Sequence, residues 1–382
     1  MARATAWLAP RPDRIPPPAA HGLAIAGEFS RTSGIGESAR LMAAATERLG
    51  VNAWRVDIPP PVDATIELPT PTDTAPPPGA PLAIHINAPQ LPLAFLRAAQ
   101  SLPKGRRIIG CWYWELPTVP PEWGPGAGFV HDIWAPSRFT AAALEPLKPG
   151  RVRVVPPPLA DAPPLPAHAD RVNFGLPDNA VVVLVSFNLA SSFARKNPLA
   201  AIAAFKAAFG DRPDRILVLK IGHPKHAPGD FERIRQAAQA PNIRIETRSL
   251  PTADSHALTA CCDIVLSLHR SEGFGLVPAE AMFLGKPVIA TAWSGNMDFM
   301  DADTAALVGY RLIPVQDDRM VYRNSVWADP DIGQAADHLR RLADDAQVRR
   351  DLGARGQAHV QRTLTSASLR AAMRDIGLHV PA

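Results

Sequence analysis

The chain has 382 residues, which is too long for one ordinary hydrophobic core, so we expect two domains of about 150 to 200 residues each. Its formal net charge of +4 comes without a polybasic block, which argues against a nucleic-acid partner and leaves open only weak contact with anionic lipid headgroups. No apolar run reaches the roughly 18 residues of a membrane span, and the first residues lack a signal-peptide core, so we expect a cytoplasmic protein, at most peripheral to the inner face of the membrane.

Cysteine and proline usage agree with that expectation. The cysteines are Cys111, Cys261 and Cys262, and the two neighbours are poorly placed to bond each other, so we expect no disulfide and a reducing compartment. No metal-ligand spacing occurs, and we expect no metal. The 42 prolines, about twice the average usage, lie mostly between predicted elements, where they stiffen loops.

Apolar runs and helical periodicity alternate along the first part of the chain. Residues 23–29 are typical of a strand and 38–49 of a helix, and the loop between them contains Gly34 and Gly36. The proline-broken stretch 58–81 is predicted to be a surface excursion. The other predicted elements are strands at 51–56, 82–87, 107–113, 133–135 and 152–155, and helices at 91–100 and 137–147. Together they predict a parallel sheet covered by helices.

A proline-rich linker at residues 156–169 precedes a second alternation of the same kind. Beyond residue 332 the pattern is helical. The predicted strands of this half lie at 180–186, 215–221, 243–246, 263–268 and 287–290, and the helices at 198–209, 230–239 and 253–260, with a further one between Pro278 and Gly285. We therefore expect a first domain at 1–165 and a second at 166–365.

Two adjacent cations, Arg195 and Lys196, follow the strand at 180–186 and precede a helix. Open α/β sheets bind ligands at the carboxyl ends of their strands, and a cation pair there could neutralise a departing diphosphate without a metal. Exposed charges flanking a helix are the alternative. We favour phosphate binding because Glu272 and Glu280 follow downstream.

Glu272 and Glu280 bracket a loop that contains Gly273 and Gly275 and leads from a buried strand into a helix. We expect Glu272 at the end of the strand and Glu280 in the first turn of the helix. The glycines let the backbone approach a ligand, and the start of the helix favours an anion. The two carboxylates would repel a bare phosphate but could accept hydrogen bonds from hydroxyls on either side of a diphosphate. A nucleotide sugar has this chemistry. An ordinary glycine-rich turn is the alternative.

Glu272 and Glu280, with seven residues between them and the run Glu-Gly-Phe-Gly-Leu at 272–276, resemble the signature of the retaining glycosyltransferases of family four. The resemblance implies the GT-B fold, an α/β architecture of two Rossmann-like, doubly wound parallel-sheet domains that face each other across a cleft. It also implies that the terminal segment 366–382, with a helix at 367–376, crosses back to the first domain.

The resemblance further implies that a hexose passes from a nucleoside diphosphate sugar to an acceptor hydroxyl with retention, without a metal or other cofactor. Glu272 would lie by the donor sugar, and Glu280 would bind the ribose. The implied acceptors are carbohydrates or glycolipids in polysaccharide, lipid-linked oligosaccharide or glycoconjugate synthesis. The donor base, the hexose and the acceptor stay open. The other residues that match donor-binding positions of the family are Phe274 and Leu276 in the same loop, the basic pair Arg195 and Lys196, and the glycines Gly34 and Gly36.

Two other functions compete with this hypothesis. Gly34 and Gly36, followed by Ala39 and later by Asp57, match the fingerprint of an NAD-dependent oxidoreductase. Residues 30–33 separate the first glycine from its strand, however, and the fingerprint leaves the second half of the chain unexplained. A catalytically inactive nucleotide-sugar-binding protein is the third hypothesis. The intact Glu272, Glu280 and Lys196 argue against it, whereas the absence of a histidine that many family members have near the reacting centre keeps it open.

The segment Trp112-Tyr113-Trp114-Glu115 closes the predicted strand at 107–113. Many members of family four have a histidine near this place, and this sequence has none, so we predict that Glu115 acts at the reacting centre. Capping of local backbone is the alternative for Glu115, and His85 and His131 are the alternative catalysts. The tryptophans form either core or a sugar-stacking wall.

The loop after the strand at 287–290 contains Ser294, Gly295 and Asn296. These side chains could touch the sugar. A simple turn is equally compatible with the three residue types.

Overall fold

The protein's structure, a computed structural model, describes residues 6–58, 68–71, 73–97, 102–318 and 320–381. Four predictions lie partly outside these residues: the N-terminal segment at 1–5, the excursion at 59–67 and 72, the second predicted helix at 98–100, and the terminal segment at 382. The chain divides into a first unit, Met1–Ala162 with Leu364–Ala382, and a second unit, Pro163–Thr363. The predicted boundaries at 165 and 365 differ from these by three and two residues.

The first unit contains a six-stranded parallel sheet with strand order β2-β1-β3-β4-β5-β6. Four helices follow strands of this sheet, and a fifth comes from the end of the chain. The strands are β1 (Leu23–Gly27), β2 (Ala53–Asp57), β3 (Leu82–Ile84), β4 (Ile108–Cys111), β5 (Asp132–Ala135) and β6 (Val152–Val154). Among the described residues, the helices that follow strands of this sheet are α1 (Gly34–Arg48), α2 (Leu91–Arg97), α3 (Gly124–Ala127) and α4 (Arg138–Leu144).

The second unit contains another six-stranded parallel sheet, with strand order β12-β11-β10-β7-β8-β9, and a separate antiparallel hairpin. Its strands are β7 (Val181–Asn188), β8 (Arg215–Gly222), β9 (Ile243–Glu246), β10 (Ile264–Ser267), β11 (Val288–Thr291), β12 (Ala306–Val308), β13 (Tyr310–Pro314) and β14 (Val326–Pro330). Its helices are α5 (Phe193–Lys196), α6 (Pro198–Phe209), α7 (Pro228–Ala237), α8 (Thr252–Cys261), α9 (Leu276–Phe283), α10 (Ile332–Asp344) and α11 (Ala346–Thr363).

The last helix, α12 (Ala367–Asp375), belongs to the first unit. Its apolar side chains join the same buried cluster as Ile25 of β1 and Met42 of α1. The apolar residues that α12 contributes are Leu369, Ala372 and Met373. The end of the chain is therefore part of the first core, and none of the described helices is long and apolar enough to cross a membrane.

The strand order shows where each sheet has its crevice. The chain winds from β7 through β8 to β9, and then returns to the other side of β7 with β10. At such a reversal the connections leave in opposite directions, and the gap outside the carboxyl ends of the two central strands is where open α/β sheets bind ligands. In the second unit that gap lies between β7 and β10, and in the first between β1 and β3.

Two differences from the sequence predictions have clear physical reasons. Helix α1 begins at Gly34 rather than residue 38, because Ser33 caps it by accepting the N–H of Gly36 at 3.0 Å. The hairpin of β13 and β14 was not predicted. Four of the five β13 residues are exposed, so no apolar run marks that strand.

Candidate functional site

The basic pair lies on α5, a single turn that follows β7. Ser192 caps this turn by accepting the N–H of Arg195 at 3.2 Å. Asn197, in left-handed backbone with φ 51°, separates α5 from α6 and donates its side-chain N–H to the carbonyl of Leu268 at 3.0 Å. Since Leu268 directly follows β10, this bond ties the segment after β7 to the segment after β10. Both basic residues thus lie at the crevice of the second sheet.

Glu272 pairs with both cations. Lys196 Nζ donates to Glu272 Oε1 at 2.5 Å, and Arg195 Nη1 lies 3.1 Å from Glu272 Oε2. Arg195 is buried and also donates to the carbonyl of Ser271 at 2.9 Å and to Ser191 Oγ at 2.7 Å. The Lys196 side chain is more exposed, at 21% against 4% for Arg195. Arg195 therefore holds the loop, and Lys196 is the cation that reaches the solvent side.

The charges in this cluster decide the protonation of its two titratable neighbours. Burial would raise the pKa of Glu272, but Lys196 and Arg195 lower it to about 2, so the carboxylate is ionised. Burial lowers the pKa of His269 to about 4, against the opposing pull of Glu272. His269 is thus a neutral imidazole at physiological pH. Its two ring nitrogens are buried and have no hydrogen-bond partner among the described residues.

A small cavity of about 20 Å³ opens at this place. Lys196 and Glu272 line it together with Gly275 and the first residues of α9, and the ends of β7 and β10 form its floor. The volume is about that of one water molecule. The opposite charges and the glycine loop therefore converge at the crevice predicted by the strand order.

Helix α9 supplies the other carboxylate. It begins after Gly275, whose φ of 96° favours glycine, and no side chain caps it. Glu280 is the fifth residue of α9 and lies in the second turn, so the prediction of the first turn was wrong. Its Oε1 is 3.7 Å from His256 Nε2 of α8. Glu280 therefore lies further along the helix than the sequence indicated.

The turn at 294–296 backs the loop that follows β10. Ser294 Oγ accepts the N–H of Glu272 at 2.7 Å, and the N–H of Gly295 donates to the carbonyl of Glu272 at 2.9 Å. Asn296 is buried and donates to the carbonyl of Thr291 at 3.0 Å. Ser294, Gly295 and Asn296 thus form hydrogen bonds to Glu272 and Thr291, which lie outside their own turn.

The first glycine loop is closed locally. The N–H of Gly36 is used by Ser33, and a Cβ built at Gly36 would lie 2.5 Å from the carbonyl oxygen of Glu28. Gly34 has open space around it and is the first residue of α1. The Asp57 carboxylate accepts the backbone N–H of Ser30 at 3.1 Å and its hydroxyl at 2.8 Å. Asp57, the acidic residue of the dinucleotide fingerprint, thus already binds Ser30 of the same unit.

The tryptophans beside Glu115 belong to the core. Trp112 and Trp114 are buried, and both pack edge-on against Trp123 at 5.9 and 5.2 Å between ring centroids. The sugar-stacking wall proposed for them is therefore wrong. Glu115 follows them in irregular, half-buried backbone.

The two alternative histidines are packed inside the first unit. His131 Nδ1 accepts the N–H of Ile108, and Nε2 donates to the carbonyl of Asp13, both at 2.8 Å. His85 is buried with Nε2 3.4 Å from Met42 Sδ, and burial lowers its pKa to about 3. Both ring nitrogens of His131 are thus used by backbone, and His85 is held neutral.

Sequence reasoning did not single out the buried His269, and it did not predict the hydrogen bond between Ser294 and Glu272. A single histidine just after a strand has no sequence pattern that marks it as functional. The hydrogen bond of Ser294 depends on how the chain folds there, which the residue type does not show. Among the described residues, no three His, Cys, Asp or Glu side chains gather as a metal site. The described cysteines, Cys111, Cys261 and Cys262, are all free thiols.

Comparison with known proteins connects this geometry to one family. Residues 152–364, more than half of the chain, match the family model described as family 4 glycosyltransferase in conflict systems. The chain is 28% identical over 223 residues to the D-inositol 3-phosphate glycosyltransferase of Jonesia denitrificans, and the match covers 56% of this chain and 48% of the relative. The matched part thus spans about half the length of that relative.

Solved structures resemble the chain over nearly its whole length. The structure of Anabaena HepE in complex with UDP and glucose has a TM-score of 0.61 at 14% identity and covers 93% of this chain and 99% of its own. Sucrose-phosphate synthase of Thermosynechococcus elongatus has a TM-score of 0.64 at 17% identity. That match covers 93% of this chain and 97% of the synthase chain. At these identities the likeness shows the fold, which is the GT-B fold expected from the sequence.

Proposed function

The chain belongs to the family 4 glycosyltransferases of conflict systems, and on that premise we propose that it transfers a hexose from a nucleoside diphosphate sugar to an acceptor hydroxyl with retention. The observation that carries the proposal is the ion pair of Lys196 with Glu272 beside the cavity at the carboxyl ends of β7 and β10. Lys196, a cation that can bind a diphosphate, lies there beside Glu272, a carboxylate that can accept hydrogen bonds from sugar hydroxyls.

Each charged residue has a role in this proposal. The diphosphate takes Lys196 away from Glu272, because a phosphate carries more charge than a single carboxylate. Glu272 then accepts hydrogen bonds from hydroxyls of the donor sugar, and Glu280 accepts them from the ribose. Arg195, fixed by Ser271 and Ser191, keeps the loop in place and adds positive potential.

The proposed reaction needs no cofactor. The bond between the anomeric carbon and the phosphate oxygen breaks, and the bond to the acceptor oxygen forms on the same face of the sugar. The proton of the acceptor hydroxyl passes to the leaving phosphate. Negative charge grows on that phosphate as the bond breaks, and Lys196 stabilises it in a largely buried site.

Gly34, Gly36 and Glu115 belong to the first unit, and their roles stay proposals. The Gly36 N–H is already bonded to Ser33, so of the two glycines Gly34 is the stronger candidate for a donor phosphate. For Glu115 we propose an electrostatic or proton-transfer role. Glu115→Gln should keep donor affinity and lower turnover by about a hundredfold. Near-normal turnover would leave Glu115 as a structural residue.

The relatives suggest which substrates to try first. HepE was solved with UDP and glucose, and the curated relative is named for D-inositol 3-phosphate. UDP-glucose is thus the first donor to test, with GDP- and ADP-sugars beside it. We propose acceptors of the polysaccharide, lipid-linked oligosaccharide and glycoconjugate classes.

Calorimetric titration of the full chain with UDP-, GDP- and ADP-sugars and with NAD tests the proposal. We expect one nucleotide sugar to bind, Lys196→Ala to weaken that binding at least tenfold, and the exposed-lysine control Lys104→Ala to leave it unchanged. Binding of NAD alone would favour the oxidoreductase.

Slow hydrolysis of the bound donor, with water as acceptor, measures the chemistry without a known acceptor. Release of the sugar in the donor's own anomeric configuration, followed by NMR, supports retention. Tight donor binding without hydrolysis or transfer would identify an inactive nucleotide-sugar-binding protein.

A further inference from the structure

Ser294 adopts a backbone conformation that a serine should avoid. Its φ of 79° and ψ of −147° lie in a region that essentially only glycine populates, at a cost of about 1 to 3 kcal/mol for other residues. Only 6% of the residue is exposed, so no solvent contact compensates. A glycine at this position would remove the strain. The side chain must therefore contribute something that a glycine would lose.

The hydroxyl of Ser294 is bonded on both sides. It accepts the N–H of Glu272 at 2.7 Å and donates to the carbonyl of Trp293. The next residue, Gly295, donates its N–H to the carbonyl of Glu272 at 2.9 Å. Both main-chain polar groups of Glu272 are thus held by two consecutive residues of one turn, although 22 residues separate Glu272 from Ser294.

The turn and the loop also touch without a side chain between them. A Cβ built at Gly295 would lie 2.2 Å from the carbonyl oxygen of Gly273 and 2.8 Å from that of Glu272. Such a close approach leaves no room for a side chain at this position, so the turn and the loop pack backbone against backbone. Asn296 anchors the other side of the turn by its bond to Thr291, the last residue of β11. The sheet thus fixes the turn, and the turn fixes Glu272.

We propose that Ser294 is a positioning residue that holds the main chain of Glu272, so that its carboxylate meets the donor sugar when Lys196 turns to the diphosphate. The inference rests on the proposed function. While Lys196 and Arg195 bind the Glu272 side chain, the ion pairs alone fix its direction. Once the phosphate takes Lys196, Arg195 still pairs with the carboxylate, and the bonds to the turn hold the main chain that carries it.

Two substitutions separate positioning from simple packing. Ser294→Gly relieves the strain but leaves the N–H of Glu272 without its acceptor, so the two effects oppose each other and the apparent melting temperature should change little. Turnover of the donor should nevertheless fall about 10- to 100-fold, since a small misplacement of a reacting group has that effect. Affinity for free UDP should not change, because Lys196 is untouched. Ser294→Ala should lose the same turnover at a lower melting temperature, because it keeps the strain.

A double-mutant cycle with Glu272→Gln shows whether Ser294 acts through Glu272. If it does, Ser294→Gly lowers turnover in the wild type but has no further effect in Glu272→Gln. Unchanged turnover in a folded Ser294→Gly variant would overturn the inference, and so would additive losses in the double mutant. A wild type that neither hydrolyses nor transfers any nucleotide sugar would instead contradict the proposed function. Donor hydrolysis by the full chain is the readout for every variant.

Discussion

The crevices of the two parallel sheets have the same topological origin but opposite contents. At the crevice of the first sheet, a Cβ built at Gly27 would lie 3.1 Å from Ala39 Cβ and 3.2 Å from His85 Cβ, so α1 and the segment after β3 pack directly on the end of β1. At the crevice of the second sheet, Lys196 and Glu272 face a cavity. Each sheet thus has a crevice: in the first, packing covers the end of β1, and in the second, a cavity lies beside Lys196 and Glu272.

The starts of the helices beside these crevices differ in the same way. In the first unit, Ser33 takes an N–H of the first turn of α1, and Glu28 accepts the Ser33 hydroxyl at 2.8 Å. In the second unit, α9 starts at Gly275 without a side-chain cap. A capped helix start has less to offer an anion, because its N–H groups already have acceptors. We infer that local capping, as much as topology, makes the start of α9 the better candidate for an anion.

The largest expected effect comes from Glu272→Gln, which keeps the shape of the side chain and removes its charge. Turnover should fall about 100- to 1000-fold, because an amide is a weaker partner for the sugar and for its developing charge. Affinity for free UDP should rise, by up to about tenfold, since Lys196 no longer has a competing carboxylate. Arg195 keeps its bonds to Ser271 and Ser191, so the variant should fold. Weaker UDP binding would contradict the idea that Glu272 and the diphosphate compete for Lys196.

Acid should weaken both units through buried histidines. The pKa of His85 is about 3 in the folded chain and 6.5 when unfolded, so only the unfolded state takes a proton between these values. Stability is therefore lost as the pH falls from 6.5, by about 1.4 kcal/mol for each pH unit. His269 acts in the same sense down to about pH 4. Glu272, lowered from 4.5 to about 2, adds a loss in the second unit only below pH 4.5.

Denaturant unfolding of wild type and His85→Leu between pH 7.5 and 5 measures how much His85 contributes to the pH dependence of the free energy of unfolding. The variant lacks the titrating group, so its stability should depend less steeply on pH. Equal slopes for the two proteins would show that His85 is protonated in the fold.

Much of the architecture was predictable from the sequence, because the strands of a buried parallel sheet consist of consecutive apolar residues. The strands of both sheets were predicted at the right places, with ends that differ by a few residues, except β12 (Ala306–Val308), which was not predicted. The β13–β14 hairpin was not predicted. Its residues Tyr310 and Leu312 are exposed, so β13 lacks the run of buried apolar residues by which the other strands were predicted. Helix α1 was predicted too short because Gly34 and Gly36 suggested a loop, whereas the cap by Ser33 extends the helix back to Gly34.

The sequence singled out residues that the structure brings together, but it did not indicate their arrangement. Lys196 and Glu272 were both singled out, yet their ion pair joins positions 76 residues apart and depends on β7 and β10 being neighbours. The sequence contains no sign that Glu272 and the basic pair neutralise each other. The backbone strain of Ser294 and the unpartnered ring of His269 follow from packing, which no local pattern records.

The two glycines of the first loop offer a matched pair that tests how tightly this loop is closed. Gly36→Ala would place a Cβ 2.5 Å from the carbonyl oxygen of Glu28, so the loop must shift, and we expect a loss of about 1 to 3 kcal/mol in the free energy of unfolding. Gly34→Ala meets nothing within 4 Å and should change it by no more than about 0.5 kcal/mol. Equal effects in thermal unfolding would mean that the loop is not closed at Gly36.

The smallest expected effect concerns Glu280, and it tests whether α9 contributes more than its uncapped start. If Glu280 accepts hydrogen bonds from the ribose, Glu280→Ala should weaken free UDP and UDP-sugar alike by about tenfold, or about 1.4 kcal/mol. The matched control is Glu37→Ala, an acidic residue in the first turn of α1 that pairs with Arg40 at 2.8 Å and should leave both affinities unchanged. Calorimetric titration of the two variants gives the comparison directly. If Glu280→Ala weakens the UDP-sugar but not UDP, Glu280 contacts the sugar, and if it weakens neither, its partner is His256 of α8 and the ribose assignment is wrong.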